Sequence, residues 1–386
     1  MKQLLAYCLS IILCVSFTGC MENYLDLYPE DKITSASFPE NESDIKLLLN
    51  GVYAQLREKE VYNQGLFGFG ITDGATPNAF NWGTDEVFNK LGAGRLSSSD
   101  GGVVTYRWKR CYEIISRANY LLACMDLVDL SEEAKAKYSG ETHFLRGLAY
   151  SVLAETYGGV PIILTNISTE EARSLKRASL EETWQQALDD YEVAITNLGV
   201  DAPEPGRATK GAALGMKMRA YLYQGKYKEV LACVEQIDAL KKYGLFHSYE
   251  GLFDPANENN KEVLFDIQYI EGENSQGSYI DQYCGTGTGS WTRGSRYVPT
   301  DDLVAAYETI DGSPVDPENP YENRDPRLGF TAVLPGSYFL GYRFPNYLYP
   351  GGAFNHAGNR LKHLSTRKYR IQDESKLPPS GQSYSL

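Results

Sequence analysis

From Asn41 onward, apolar residues fall at helical spacing: Ile45, Leu48, Leu49, Val52 and Leu56 recur every three or four positions. The same period returns from about Val104 to Leu127, through Trp108, Tyr112, Ile115, Ala118, Leu122 and Met125. Ser131 followed by Glu132-Glu133 predicts the cap and acidic first turn of a third helix. That helix continues through Phe144, Leu148, Val152 and Leu153 and stops at Gly158-Gly159 before Pro161. Ser179 opens a fourth, carrying Trp184, Leu188, Tyr191 and Ile195, and Thr209 opens a fifth. A sixth runs from about Tyr227 to Leu240.

These elements pair. Ala220-Tyr221-Leu222-Tyr223-Gln224-Gly225-Lys226-Tyr227 reads as two helices joined by a tight turn, with the small and aromatic interlock of a tetratricopeptide hairpin. Such an array buries each apolar face only against its neighbours, so several units are needed. Residues 60–102 are rich in glycine and read as loop. Beyond Tyr243 the pattern changes to strand-like pieces, such as Val263 to Tyr269, between loops of glycine, asparagine, proline and tyrosine. The predicted fold is mainly α: a tetratricopeptide-like helix-pair array with an irregular, loop-rich subdomain containing short strands.

The first residues have a different logic. Lys2 is followed by an uncharged stretch, Leu4 to Phe17, of about fourteen residues, short of the roughly 20 that cross a bilayer. A basic start, a short apolar run and the small-residue exit Thr18-Gly19 before Cys20 describe a secretory signal. The exit resembles the lipobox of bacterial lipoproteins, in which the cysteine thiol takes a diacylglyceryl group and becomes the new N-terminus. Cys20 is therefore the expected lipidation site, and the signal peptide spans 1–19.

Composition narrows the partners. The net charge of −13 argues against nucleic acid and anionic lipid surfaces. Tyrosine is abundant, with 29 copies; it suits polar ligands that present apolar faces, although at least half are expected to pack helices. Behind the signal stand Cys20, Cys111, Cys124, Cys233 and Cys284. Cys111 and Cys124 fall on one helix about 20 Å apart and cannot bridge each other. With no CxxC pair, the last four read as mostly buried free thiols.

No GxGxxG, P-loop, HExxH or GxSxG is present, and His143, His247, His356 and His363 lack metal spacing. The glycine-rich run from Gly285 to Gly289 lacks the dinucleotide-binding spacing. No cofactor or metal is implied. Sequence alone selects no pair of carboxylates for glycoside hydrolysis.

Four segments, in order behind the lipobox, resemble the SusD/RagB family of Bacteroidetes outer-membrane lipoproteins. They are Tyr24-Leu25-Asp26-Leu27-Tyr28-Pro29-Glu30-Asp31-Lys32-Ile33, Arg117-Ala118-Asn119-Tyr120-Leu121-Leu122, Glu141 to Tyr150 running on to Tyr157-Gly158-Gly159-Val160-Pro161, and Asn323-Arg324-Asp325-Pro326-Arg327-Leu328. The resemblance implies three regions: the signal at 1–19, a lipid-anchored helical region at 20–243, and a loop-rich region at 244–386. It implies a cell-surface nutrient binder, not an enzyme, anchored in the outer membrane. The binder would deliver oligosaccharides to a partner TonB-dependent, SusC-like transporter. Peptide capture, glycoside hydrolysis and a non-functional fragment are the alternatives. Family members usually continue past Arg367-Lys368-Tyr369 into further helices, so a truncated member is expected here.

Two loops combine aromatic faces with short polar side chains, the chemistry that sugar C–H faces and hydroxyls require. The first, Asp73 to Trp82, supplies Asp73, Asn78 and Trp82; the second, Tyr279 to Tyr297, supplies Tyr283, Trp291, Arg293 and Tyr297. These seven are the candidate ligand-binding residues. Arg324, Asp325 and Arg327 read instead as an ion-paired turn, and Glu141 and Arg146 as helix packing and local pairing.

Overall fold

The computed structural model describes residues 38–57, 73–81, 90–97, 99–202, 204–269, 297–339, 342–344 and 365–367. The predicted helices are present. α1 (Glu42–Tyr53) starts where Asn41 Oδ1 accepts from Asp44 N, and buries Ile45, Leu49 and Val52 on one stripe. α2 (Val103–Cys124) continues into a 3-10 turn through Leu127. α3 (Glu132–Tyr157) is capped by Ser131, whose side chain accepts from Ala134 N. Two short-range capping boxes follow, Ser168 with Glu171 opening α4 (Thr169–Ser174) and Ser179 with Glu182 opening α5 (Leu180–Asn197). α6 (Lys210–Tyr223) begins at Thr209, which accepts from Ala212 N. The turn at Gly225, with φ of +69°, leads into α7 (Tyr227–Ala239). A side chain there would be strained, which is why glycine closes the hairpin.

The helices stack largely in chain order: α1 against α2 and α3, α2 against α3, α3 against α5, α5 against α6, and α6 against α7. α3 is the centre. Every residue from Phe144 to Ser151 is buried, so the helix is enclosed on all sides rather than along one stripe. A Cβ at Gly147 would lie 3.0–3.1 Å from the Tyr191 ring, Ala187 O and Asp190 Cβ, so the missing side chain lets α5 approach closely.

Tyr112 and Tyr150 serve the backbone of the extended segment after α3. Tyr112 Oη donates to Pro161 O at 2.7 Å. Tyr150 Oη donates to Ile163 O at 2.9 Å and accepts from Ile163 N at 2.8 Å. Asn119 Nδ2 donates to Ile163 O at 3.0 Å, and Val160 N donates to Thr183 Oγ1 at 3.2 Å. Residues 160–165 thus lie on a helical surface with side chains in place of a neighbouring strand, which satisfies buried peptide groups that no helix could pair. At the end of α3, Arg177 donates to Gly159 O and Tyr157 O, covering carbonyls that helix geometry leaves open.

The strand pieces are β1 (Ala79–Asn81), β2 (Tyr297–Pro299), β3 (Ala332–Val333), β4 (Tyr338–Phe339), β5 (Tyr342–Arg343) and β6 (Ser365–Thr366). They form antiparallel pairs β1–β2, β3–β6 and β4–β5. Two short helices accompany them, α8 (Asp301–Ala306) and α9 (Pro326–Thr331).

Two expectations are corrected. Val263 to Tyr269 belongs to no described strand. The segment is extended but lies on the helices instead of a sheet: Phe265 packs edge-on against Phe144, ring centroids 4.9 Å apart. The turn at 324–327 is also only partly an ion pair. Asp325 caps α9 and pairs with Arg327, whereas buried Arg324 donates to Pro320 O, Val304 O and Tyr307 O at the end of α8. Carbonyls left open by that helix outcompete the neighbouring carboxylate. Cys111, Cys124 and Cys233 are buried free thiols, as read; Cys284 lies outside the described residues.

Candidate functional site

The two candidate loops meet. β1 and β2 pair in the register Ala79↔Pro299, Phe80↔Val298 and Asn81↔Tyr297. Beyond the ladder, Thr300 N donates to Asn78 O at 3.1 Å. Thr300 Oγ1 donates to Pro77 O, 223 residues away in the chain. The same Oγ1 accepts from Leu303 N at 3.2 Å and caps α8. One threonine therefore fixes the first loop, the second loop and a helix start.

The first loop is held locally as well. Thr76 N and Thr76 Oγ1 both donate to Asp73 O, at 2.9 and 2.8 Å, and Asn78 N donates to Thr76 Oγ1 at 3.2 Å. This turn presents Asp73 and Asn78 on the exposed side. Two candidate side chains are thus placed beside the ladder on a rigid frame. Tyr297 enters through its backbone, opposite Asn81. Trp82, Tyr283, Trp291 and Arg293, like Cys20, lie outside the described residues.

Phe80, not among the seven candidates, sits at the middle of the ladder. Its cross-strand partner Val298 is 6% exposed, while Phe80 itself is 44% exposed. A half-exposed aromatic ring beside a buried valine on the same face of the ladder can serve as a platform for an apolar face of a ligand. The signal was in the quoted loop: an aromatic between Ala79 and Asn81, at alternating positions.

A separate groove of about 720 Å³ lies between α6 and residues 258–269, lined mainly by apolar side chains including Met216, Leu222, Leu264, Phe265 and Ile267. Tyr269 borders it, with a buried hydroxyl that has no hydrogen-bond partner among the described residues; burial pushes that phenol up to about 12. Arg219, Glu258, Asp266 and Gln268 stand among these apolar side chains. Behind it, Glu141 sits in the core. Tyr53 Oη donates to Glu141 Oε2 at 2.7 Å and accepts from Ala208 N at 2.9 Å. Arg207 Nη1 stands 3.5 Å from the same carboxylate, an ion-pair distance. Burial raises the Glu141 carboxyl, and its hydrogen bond from Tyr53 and the nearby Arg207 oppose that rise. Glu141 thus does the packing and local pairing expected of it.

Among the described residues, no group of three or more His, Cys, Asp or Glu is placed to hold a metal ion. No described helix is long and apolar enough to cross a membrane.

Comparison with known proteins agrees with this architecture. A family described as "Starch-binding associating with outer membrane" matches residues 23–222, and the SusD family matches residues 261–383. The chain belongs to the SusD/RagB family, and its helical, tetratricopeptide-like fold is that of its relatives. It is similar to SusD-like protein P25 of Formosa agariphila, 26% identical over 321 residues that cover 77% of this chain and 58% of the relative. The chain thus spans a little over half the length of that relative. A SusD-like carbohydrate-binding protein from Bacteroides fragilis superposes with a TM-score of 0.77 at 27% identity, covering 89% of this chain and 70% of that one. A laminarin-binding SusD-like protein shares the fold, with a TM-score of 0.61 at 18% identity over 86% of this chain and 73% of that one.

Proposed function

We propose that this protein binds oligosaccharides on the face built around the β1–β2 ladder and passes them to a partner TonB-dependent, SusC-like transporter. The observation that carries the reading is the joining of two loops, distant in sequence and rich in aromatic and short polar residues, by one ladder in a fold of this family. Asp73 and Asn78 supply hydrogen bonds to hydroxyls; Trp82, Tyr283, Trp291, Arg293 and Tyr297 are the other loop residues this reading assigns to the ligand. The carbohydrate-binding and laminarin-binding relatives support a glycan as the ligand class. The protein does no bond-breaking chemistry in this reading. It holds the ligand, and the transporter supplies the energy for import. Lipid on Cys20, exposed once residues 1–19 are removed, keeps the binder on the outer membrane, facing the cell exterior.

Immobilised laminarin and starch offered to the purified protein test the binding. Retention is expected, with loss on Trp82→Ala or Trp291→Ala and no release of new reducing ends. A protein that retains neither glycan, or that generates reducing ends, contradicts the reading. Co-purification of a TonB-dependent transporter from native outer membranes tests the partner, and metabolic labelling with a lipid precursor, abolished by Cys20→Ala, tests the anchor.

A further inference from the structure

The β1–β2 ladder runs into a proline on each strand. Pro299 stands opposite Ala79, and Pro77 lies just ahead of Asn78. Neither has an N–H to donate, so backbone pairing toward Asp73 is short of donors. Three residue pairs make a marginal ladder on their own.

Thr300 supplies the missing donors. Its N–H donates to Asn78 O at 3.1 Å, and its hydroxyl donates to Pro77 O. Those two carbonyls belong to the peptide groups on either side of the Asn78 Cα. Peptide groups are planar, so only φ and ψ lie between them. Holding both groups sets the Asn78 backbone, and with it the direction in which the exposed side chain leaves the chain. Asn78 N is held too, by Thr76 Oγ1 at 3.2 Å, and that hydroxyl donates to Asp73 O.

The Thr300 hydroxyl works as donor and acceptor at once, because it also accepts from Leu303 N at the start of α8. Serine can do both and valine neither. An ionised aspartate caps a helix at least as well as threonine but has no proton to give to Pro77 O. The two roles can therefore be separated.

We propose that Thr300 is a positioning residue of the ligand face: through Pro77 O it aims Asn78 at a hydroxyl of the bound sugar. This rests on the reading that the face binds glycans. The gain is preorganisation, since a ligand that meets an ordered loop is spared the entropy of ordering it.

Calorimetric titration of the full chain with laminarin and with soluble starch tests the role. Thr300→Val and Asn78→Ala should each weaken binding about tenfold. Because one acts through the other, the double variant should bind within about twofold of Asn78→Ala alone. Thr300→Ser should bind like wild type. Thr300→Asp should weaken binding as Thr300→Val does, which loss of a helix cap cannot explain. Hydrogen exchange without glycan reads the same clasp. Residues 73–81 should exchange faster in Thr300→Val and Thr300→Asp, and residues 301–306 faster only in Thr300→Val. Three results would overturn the proposal and leave glycan binding standing: additive losses in the double variant, wild-type affinity in Thr300→Asp, or unchanged exchange of 73–81 in Thr300→Val. A wild-type chain that binds neither glycan removes the binding reading and this proposal with it.

Discussion

Arg146 and Asp190 form a forked ion pair inside the helical array. Arg146 Nη2 donates to Asp190 Oδ1 at 2.7 Å and Nε to Oδ2 at 3.0 Å, with both side chains buried. Arg146 Nη1 donates to Asn119 Oδ1 at 2.8 Å, and Asn119 in turn donates to Ile163 O. Two of the sequence motifs, on α2 and α3, thus converge on one network that also holds the extended segment after α3. Removing one charge leaves the other buried and unpaired. Arg146→Ala and Asp190→Ala should each lose about 3–5 kcal/mol in urea unfolding. Arg146→Lys should rescue little, because an ammonium cannot reproduce the fork.

Gly147 and Gly140 both face α5 or the turn after it, but their neighbours differ. A Cβ at Gly147 meets Ala187 O, Asp190 Cβ and the Tyr191 ring at 3.0–3.1 Å, none of which can withdraw; at Gly140 it meets the Leu198 side chain, which can turn away, at 2.9–3.0 Å and Asn197 Cβ, which cannot, at 3.0 Å. Alanine gains about 1 kcal/mol of helix propensity at either position. Overpacking of about 1–3 kcal/mol should outweigh that gain at Gly147. Gly147→Ala is expected to lower the melting temperature, and Gly140→Ala to change it less, as calorimetry of the two variants will show.

Burial pushes the Cys111 thiol up to about 12, and also raises Cys124 and Cys233. Only the thiolate reacts with alkylating reagents. Iodoacetamide at neutral pH should leave all three unmodified in the folded protein and label them after unfolding, as read by mass spectrometry of their peptides. Labelling of folded Cys111 would contradict the packing described.

Glu141 gives the fold a pH dependence of defined sign. Its folded-state carboxyl is raised, chiefly by burial, so the folded protein holds the proton more tightly than the unfolded chain does. The resulting stability is present at low pH and is lost as pH rises from the ordinary glutamate value of about 4.3 through the raised one. Glu141→Gln cannot titrate. Wild type should therefore lose stability relative to Glu141→Gln as pH increases through that window, measured as the difference in urea midpoints. A constant difference would remove this role.

Phe80 tests the binding face from its described part. Phe80→Ala should weaken glycan retention several-fold and leave the melting temperature nearly unchanged, since the ring is 44% exposed. Phe80→Tyr, which keeps the ring, should retain binding.

The helices were readable because their signals are local. Ser131, Ser179 and Thr209 each cap the helix they were expected to open. α4 escaped notice despite its Ser168–Glu171 box, since six residues leave no periodic stripe to recognise. Val263 to Tyr269 was misread for a chemical reason: the composition that suits a strand also suits an extended chain lying on helices, and only the backbone's partners tell them apart. The proposed binding face was legible as two separate loops. Its unity was not, because three-residue strands carry little pattern and Thr300 finds Pro77 only in three dimensions.

That separation has a kinetic consequence. Packing among α2 to α7 joins near neighbours in the chain, so most of the array can form from contacts with short loop closures. The β1–β2 ladder cannot, since β1 must wait for residues near 300. A chain emerging end first would complete most of its scaffold before the ladder exists, and the proposed ligand face would be the last part to become competent.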